Sequence, residues 1–305
     1  MIRYIVRRLL WAVMVLVGVS VATFLLVHLT GDPTALYIGM ESRQQDYEIL
    51  RHAMGFDRPL HEQYWRFFSG AIRGDFGLSL RHQMPTLPLV LEKLPATVQL
   101  TLAAMAFAVA IALPLGIFSA LKKDSLLDTV CMIVALSGQC IPTFWLGIML
   151  IVIFAVQLHL LPAYGRTDWR SLILPSLTLG AWAMARTARL TRSSMLEVLR
   201  QDYLRTARAK GLMEQVVILR HALKNAAIPI VTAISLDLGN LLSGAIITEA
   251  VFAYPGLGRL VVEAVINKDI PMIQAVVFVV GAIFVVVNIV TDLFYVVLDP
   301  RIRLG

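Results

Sequence analysis

Charge is scarce in this chain: 15% of its 305 residues are Asp, Glu, Lys or Arg, and cysteine occurs twice, at Cys131 and Cys140. Polar residues are confined to a few stretches and no low-complexity tract occurs, which excludes intrinsic disorder. Two cysteines inside one apolar segment supply neither a disulfide framework nor a CxxC metal or redox pair. No Gly-Lys dipeptide is present, so there is no GxxxxGK[ST] phosphate loop and no usual means of binding ATP. HExxH, GxSxG and paired intramembrane carboxylates are missing as well, leaving an intramembrane protease or hydrolase without recognisable machinery. The histidines, His28, His52, His61, His82, His159 and His221, show no metal-ligand spacing.

What fills the chain is hydrocarbon. Hydrophobic residues reach 58% with a mean hydropathy of +0.75, far outside the soluble globular range. Between Leu9 and Leu29 only Ser20, Thr23 and His28 are polar, and such a run spans about 30 Å as a helix. It is too long for a signal-peptide core and no A-x-A site follows, so it reads as an uncleaved first helix. Similar runs at 97 to 121, 130 to 158, 172 to 190, 228 to 250 and 272 to 297 predict an all-α integral membrane protein of about six transmembrane helices. The fourth run is the shortest, with fourteen uncharged residues from Leu172 to Ala185 before Arg186.

The net charge of +7 sits beside apolar runs and forms no aromatic-interleaved patch, which points to a membrane rather than nucleic acid. Arg3, Arg7 and Arg8, then Lys122 and Lys123, then nine Lys or Arg from Arg186 to Lys224, then Arg301 and Arg303 all fall on one side. The positive-inside rule makes that side the cytoplasm, with both termini inside. Three parts follow: residues 1–30 as tail and first helix, 31–96 as an extracytoplasmic subdomain, and 97–305 as a transmembrane core. The core includes a cytoplasmic loop at 191–227, between the fourth and fifth helices. The middle part carries eight acidic residues against seven Lys or Arg, with Tyr64, Trp65, Phe67 and Phe68 as an interfacial or ligand-facing aromatic group.

Within 191–227, Leu196, Leu199 and Tyr203 recur at helical spacing, Gly211 offers a break, and Val216 to Asn225 resumes before Pro229. A basic helix-turn-helix results, whose charge either satisfies topology and touches anionic lipid or contacts a protein partner. In the fifth span Asp237 and Asn240 are costly unless they face a cavity or a partner. Asp237 therefore either lines a polar translocation path, attracting an ammonium group or metal ion, or makes a structural hydrogen bond. Asn288 and Asp292 invite the same argument, with packing or capping as the other reading, Gly239 and Ser243 form a small-residue packing face, and Gln139 with Pro142 interrupts the third span, as a cavity-lining break or a packed kink.

The stretch from Asp202 to Pro229, DYLRTARAKGLMEQVVILRHALKNAAIP, resembles the coupling loop of ABC importer permeases in the dipeptide, oligopeptide and nickel branch. The resemblance extends along nearly the whole chain: TGDP at Thr30–Pro33, GFDRPL at Gly55–Leu60, RGDFGLS at Arg73–Ser79 and LPAT at Leu94–Thr97. It continues through IPTFWLG at Ile141–Gly147, LPSLTLG at Leu174–Gly180, YPGLGR at Tyr254–Arg259 and LDPRIR at Leu298–Arg303. Aligned on Gly211, the family's general EAA motif meets Arg205, Thr206 and Ala207, so its glutamate and first alanine are absent and its proline comes later, at Pro229.

The resemblance implies that this helical elbow sits in a groove on an ATPase subunit and passes motion to the membrane helices. Arg205, Thr206, Ala207, Arg208, Ala209, Lys210 and Gly211 are the coupling residues so implied. It also implies a paralogous permease, two ATP-binding subunits that bind ATP and Mg²⁺, an extracytoplasmic solute-binding protein, and residence in a bacterial inner membrane. No cofactor is expected in this chain and membrane lipid is its other contact. The cargo would be a dipeptide, an oligopeptide or a related solute such as a nickel chelate, glutathione or an opine. An ATP-independent secondary transporter or channel is the alternative that the basic loop alone leaves open.

Overall fold

The computed structural model describes residues 2–29, 47–49, 51–52 and 55–298. TGDP, Asp299–Arg303 and the side chains of His28 and Asp292 lie outside that description. Among the described residues every regular element is helical, apart from an isolated bridge between Leu78 and Pro85. In chain order these are α1 (Ile2–Leu29), α2 (Leu60–Ile72), α3 (Thr86–Leu121), α4 (Leu126–Cys140) and α5 (Thr143–Leu150). There follow α6 (Ile173–Val198), α7 (Asp202–Ala209), α8 (Leu223–Val251), α9 (Leu257–Ile266) and α10 (Ile270–Leu298). π-helical turns at Ile151–Gln157 and Val217–Ala222 extend α5 and lead into α8.

Among the described residues, three helical stretches are long and apolar enough to cross a bilayer: Thr86–Leu121, Glu214–Val251 and Ile270–Thr291. The apolar run at 130 to 158 is not a straight helix. It breaks between α4 and α5 with a bend of 108°, because Pro142 cannot donate to the helix and drives Ile141 to an extended ψ of 127°. If that bent pair counts as one crossing the number becomes four. α1 contributes a shorter apolar stretch, Leu10–Leu25, and α6 carries Arg186, Arg189 and Arg192 in its second half.

The chain divides into two units. The first comprises residues 1–96 and 255–289. There α2 lies on α1 through aromatic contacts: Phe24 meets Tyr64 edge-on at 5.5 Å, and the Tyr64 hydroxyl shares a 2.9 Å hydrogen bond with Ser20. Its core gathers Ala71, Phe76, Val90, Leu257, Leu260 and Met272 with their neighbours. Between α2 and α3 the RGDFGLS segment turns sharply, with Gly74 and Gly77 at φ of 80° and 89°, values that glycine tolerates. Buried Asp269 fastens this turn. Its Oδ2 accepts from Ser79 Oγ at 2.5 Å and from the Arg81 amide at 3.3 Å, while its Oδ1 caps α10 at the Met272 amide, 3.3 Å away.

The second unit comprises residues 97–254 and 290–305, and α6 is its centre. Small residues let other helices approach it at backbone distance. A Cβ on Gly180 of α6 would lie 2.5 Å from the Ala104 carbonyl of α3, and one on Gly138 of α4 would lie 2.6 Å from the Ala181 carbonyl of α6. Further along α3 and α6, a Cβ on Gly116 of α3 would meet Thr191 of α6 at 2.6 Å. Without a hydrophobic driving force between helices in lipid, close van der Waals packing of this kind holds a bundle together.

Gly180→Ala is therefore expected to lower the thermal midpoint of the purified protein, since a backbone carbonyl cannot move aside. Gly18→Ala, where an added Cβ meets nothing within 4 Å, should leave the midpoint unchanged or raise it. Asp269→Ala removes a helix cap and a charged acceptor together, and is expected to cost about 2 kcal/mol in a chemical or thermal unfolding series.

Candidate functional site

After α6 ends at Val198, α7 packs only one side of itself. Leu204 and Ala207 are buried against Ala120, Met195, Val217 and Ala222. The opposite side, with Arg205, Thr206, Arg208, Ala209 and Lys210, is exposed. The period fits a short amphipathic helix with one anchored face.

The stop after α7 is a Schellman turn. The Gly211 amide donates to the Arg208 carbonyl at 2.9 Å and the Leu212 amide to the Ala207 carbonyl at 3.4 Å, the 5→2 and 6→1 bonds of that motif. Gly211 has a φ of 74°, and nothing lies within 4 Å of where its Cβ would be. Backbone conformation, not space, therefore reserves the position for glycine. Arg208 then spans the turn: its Nε and Nη2 donate to the Glu214 carboxylate at 3.1 and 2.8 Å. Arg205 is 3.7 Å from Asp202 on its own helix, while Tyr203, Leu212 and Met213 stand exposed around the turn.

Asp237 and Asn240 occupy α8, away from that turn in sequence. Asp237 is fully buried and its Oδ1 accepts from Arg186 Nη1 of α6 at 2.5 Å. Asp237 Oδ2 accepts no hydrogen bond among the described residues, although Asn240, one turn on and exposed, approaches the carboxylate. The Arg186 guanidinium lies 5.7 Å from the Trp182 ring centroid, within cation–π range. Asn288 donates to its own helix at the Phe284 carbonyl, 2.8 Å away.

Other polar ties escape a reading of the sequence alone. Asp128 on α4 receives a fork from Arg192 of α6, at 2.8 and 2.7 Å, together with the Ser119 hydroxyl of α3. The Asp124 amide adds a bond at 3.0 Å. The signal available was the Ser125-x-x-Asp128 capping pattern, and Ser125 does cap α4 by accepting from the Asp128 amide at 3.3 Å. Elsewhere in the second unit, buried Glu249 of α8 accepts from Thr97 at 2.7 Å, and Arg166 donates to Gln99 at 2.6 Å. No group of three or more His, Cys, Asp or Glu side chains able to hold a metal occurs among the described residues.

These arrangements can be set beside known proteins. The family described as binding-protein-dependent transport system inner membrane component matches residues 112–304, and its N-terminal companion matches residues 1–101. The chain is 43% identical over 304 residues to the glutathione transport system permease protein GsiC of Escherichia coli strain K12 and to that of Shigella flexneri serotype 5b. Each alignment covers 99% of both proteins. Among solved structures, the inward-facing MetNI methionine ABC transporter shares the fold with a TM-score of 0.57 at 19% identity, over 69% of this chain and 96% of that one. An amino acid ABC transporter crystallised with histidines aligns with a TM-score of 0.51 at 17% identity, over 68% of this chain and 93% of that one. That family is one of transport permeases rather than enzymes, and the chain belongs to it, as a multi-pass inner-membrane permease of ABC importers in the peptide and nickel branch.

Proposed function

We propose that the chain forms half of the translocation path of an importer for a small peptide or peptide-like solute, and couples that path to ATP hydrolysis by partner subunits. Full-length identity of 43% to a glutathione permease carries the cargo class, which spans glutathione, dipeptides and oligopeptides. A second, paralogous permease completes the path, two ATPase subunits bind ATP and Mg²⁺ beneath it, and a solute-binding protein delivers the cargo from outside. Six crossings with both termini in the cytoplasm are consistent with the distribution of Lys and Arg. Residues 31–96 then form an extracytoplasmic subdomain, and the transmembrane core of 97–305 carries the cytoplasmic loop 191–227.

Coupling falls to Arg205, Thr206, Ala207, Arg208, Ala209, Lys210 and Gly211. Ala207 and Leu204 anchor α7 in the core, so a push on its exposed face reaches α3, α6 and α8 through packed side chains. The Schellman turn and the Arg208–Glu214 fork stiffen the reversal. Exposed Arg205 and Lys210 supply rim charges that set register on the ATPase more than affinity. Asp237 and Asn240 mark the stretch of α8 that borders the path. An ATP-independent carrier has no evident use for a stiffened, half-exposed elbow.

Gly211→Val forces a β-branched residue into a left-handed conformation and is expected to weaken the turn by about 1–2 kcal/mol. In the reconstituted complex it should reduce substrate-stimulated ATP hydrolysis severalfold while membrane insertion stays intact. Unchanged stimulation in the fully assembled complex would remove the elbow from the coupling route.

A further inference from the structure

A guanidinium in a membrane helix has five N–H donors to satisfy, and Arg186 spends few of them inside the protein. Its Nη1 goes to Asp237 Oδ1 at 2.5 Å and its guanidinium carbon lies 5.7 Å from the Trp182 ring centroid. No other hydrogen bond of Arg186 is found among the described residues, and 35% of its side chain remains accessible. Trp182 beside it is exposed to a similar degree, 37%. Asp237, by contrast, has no accessible surface, so nothing passing along the helices can touch its carboxylate.

Asp237 is midway along Leu223–Val251, so the Arg186 guanidinium that reaches it lies within the span, although Arg186 heads the run of cations on the cytoplasmic side. Free guanidinium donors facing lipid tails at that depth would be strongly unfavourable, so the accessible edge faces a water-filled space or an acceptor. A planar fork of N–H groups is shaped for a carboxylate. The charge nearest the accessible surface is thus positive, the opposite of what an exposed Asp237 attracting an ammonium group would require.

We propose that Arg186 is a carboxylate-recognition residue of the translocation path, with Asp237 and Trp182 as positioning residues that fix the orientation of its guanidinium. The inference rests on the transport reading above and specifies it: the cargo is a solute bearing a carboxylate, and its anionic end meets the path at Arg186. Asp237 also keeps the contact short-lived. Its charge offsets most of the attraction of Arg186 for an anion, so the site orients cargo without trapping it, as a path requires.

The test is uptake of radiolabelled glutathione, and separately of a labelled dipeptide, by the complete complex in liposomes with its ATPases and loaded binding protein. Arg186→Gln/Asp237→Asn removes both charges together, so no unpaired buried charge remains, and Arg186→Lys keeps the charge but loses the fork. The double variant is expected to assemble in wild-type amounts and to lose at least about tenfold in uptake, the worth of a charge-assisted hydrogen bond. Arg186→Lys is expected to fall between the double variant and wild type. Wild-type uptake by the double variant would make the pair a structural tie only and overturn the proposal. Failure of the double variant to recruit the second permease would also overturn it, assigning Arg186 to a subunit contact. If the wild-type complex hydrolyses ATP with its binding protein yet moves neither probe, the cargo class is wrong and the proposal falls with it.

Discussion

Hydrocarbon gives a polar group nothing to bond to, and that constraint governs where this chain departs from plain apolar helix. Asp237 is buried with Arg186 as its partner, Asp128 is clasped by Arg192 and Ser119, and Glu249 accepts from Thr97. In each case the carboxylate joins elements distant in sequence, so the charges that threaten insertion become ties between helices. Between these ties, helices meet through Gly116, Gly138 and Gly180, where removal of a side chain brings backbones together. The bundle is thus specified by small residues for distance and by ion pairs for register.

The same constraint bears differently on the two regions to which the proposals above assign force transmission and cargo contact. The α7 turn is rich in exposed cations and held by a Schellman closure and a bidentate ion pair, a construction suited to pushing. Arg186 is held by one carboxylate and one ring and keeps an accessible edge, a construction suited to a passing contact. Both regions involve α6: α7 follows its C-terminal end, and Arg186 lies halfway along it. A displacement of α7 is therefore joined through a continuous helix and its core contacts to the orientation of Arg186, which gives the coupling proposal a physical route.

Much of this was legible in the residues, for reasons that can be named. Continuous apolar runs at 97 to 121, 228 to 250 and 272 to 297 became α3, α8 and α10, because apolar length is a local property. Gly211 was legible as a break because a lone glycine after a short periodic segment commonly occupies the C′ position. The 108° bend at Pro142 was visible only as an interruption, since hydropathy continues across it. Asp237 could be marked as costly, but its partner is 51 residues away on another helix. The Ser79–Asp269 bond spans 190 residues and Asp128–Arg192 spans 64. Pairings of that range are set by how helices pack, and no pattern within a window of sequence encodes them. α6 misleads in the other direction, because its short apolar stretch and three arginines look like a weak membrane segment, yet it is the helix around which the second unit is built.

The central claim is that this chain works as one subunit of an ATP-driven assembly. Mild-detergent purification of the tagged chain from its native membrane, with mass spectrometry of what accompanies it and an ATPase assay of the eluate, tests that claim most directly. The account predicts recovery of a second permease and of ATPase subunits, with hydrolysis that rises on addition of cargo-loaded binding protein. A chain that elutes alone and still moves solute across a vesicle membrane without ATP would contradict it.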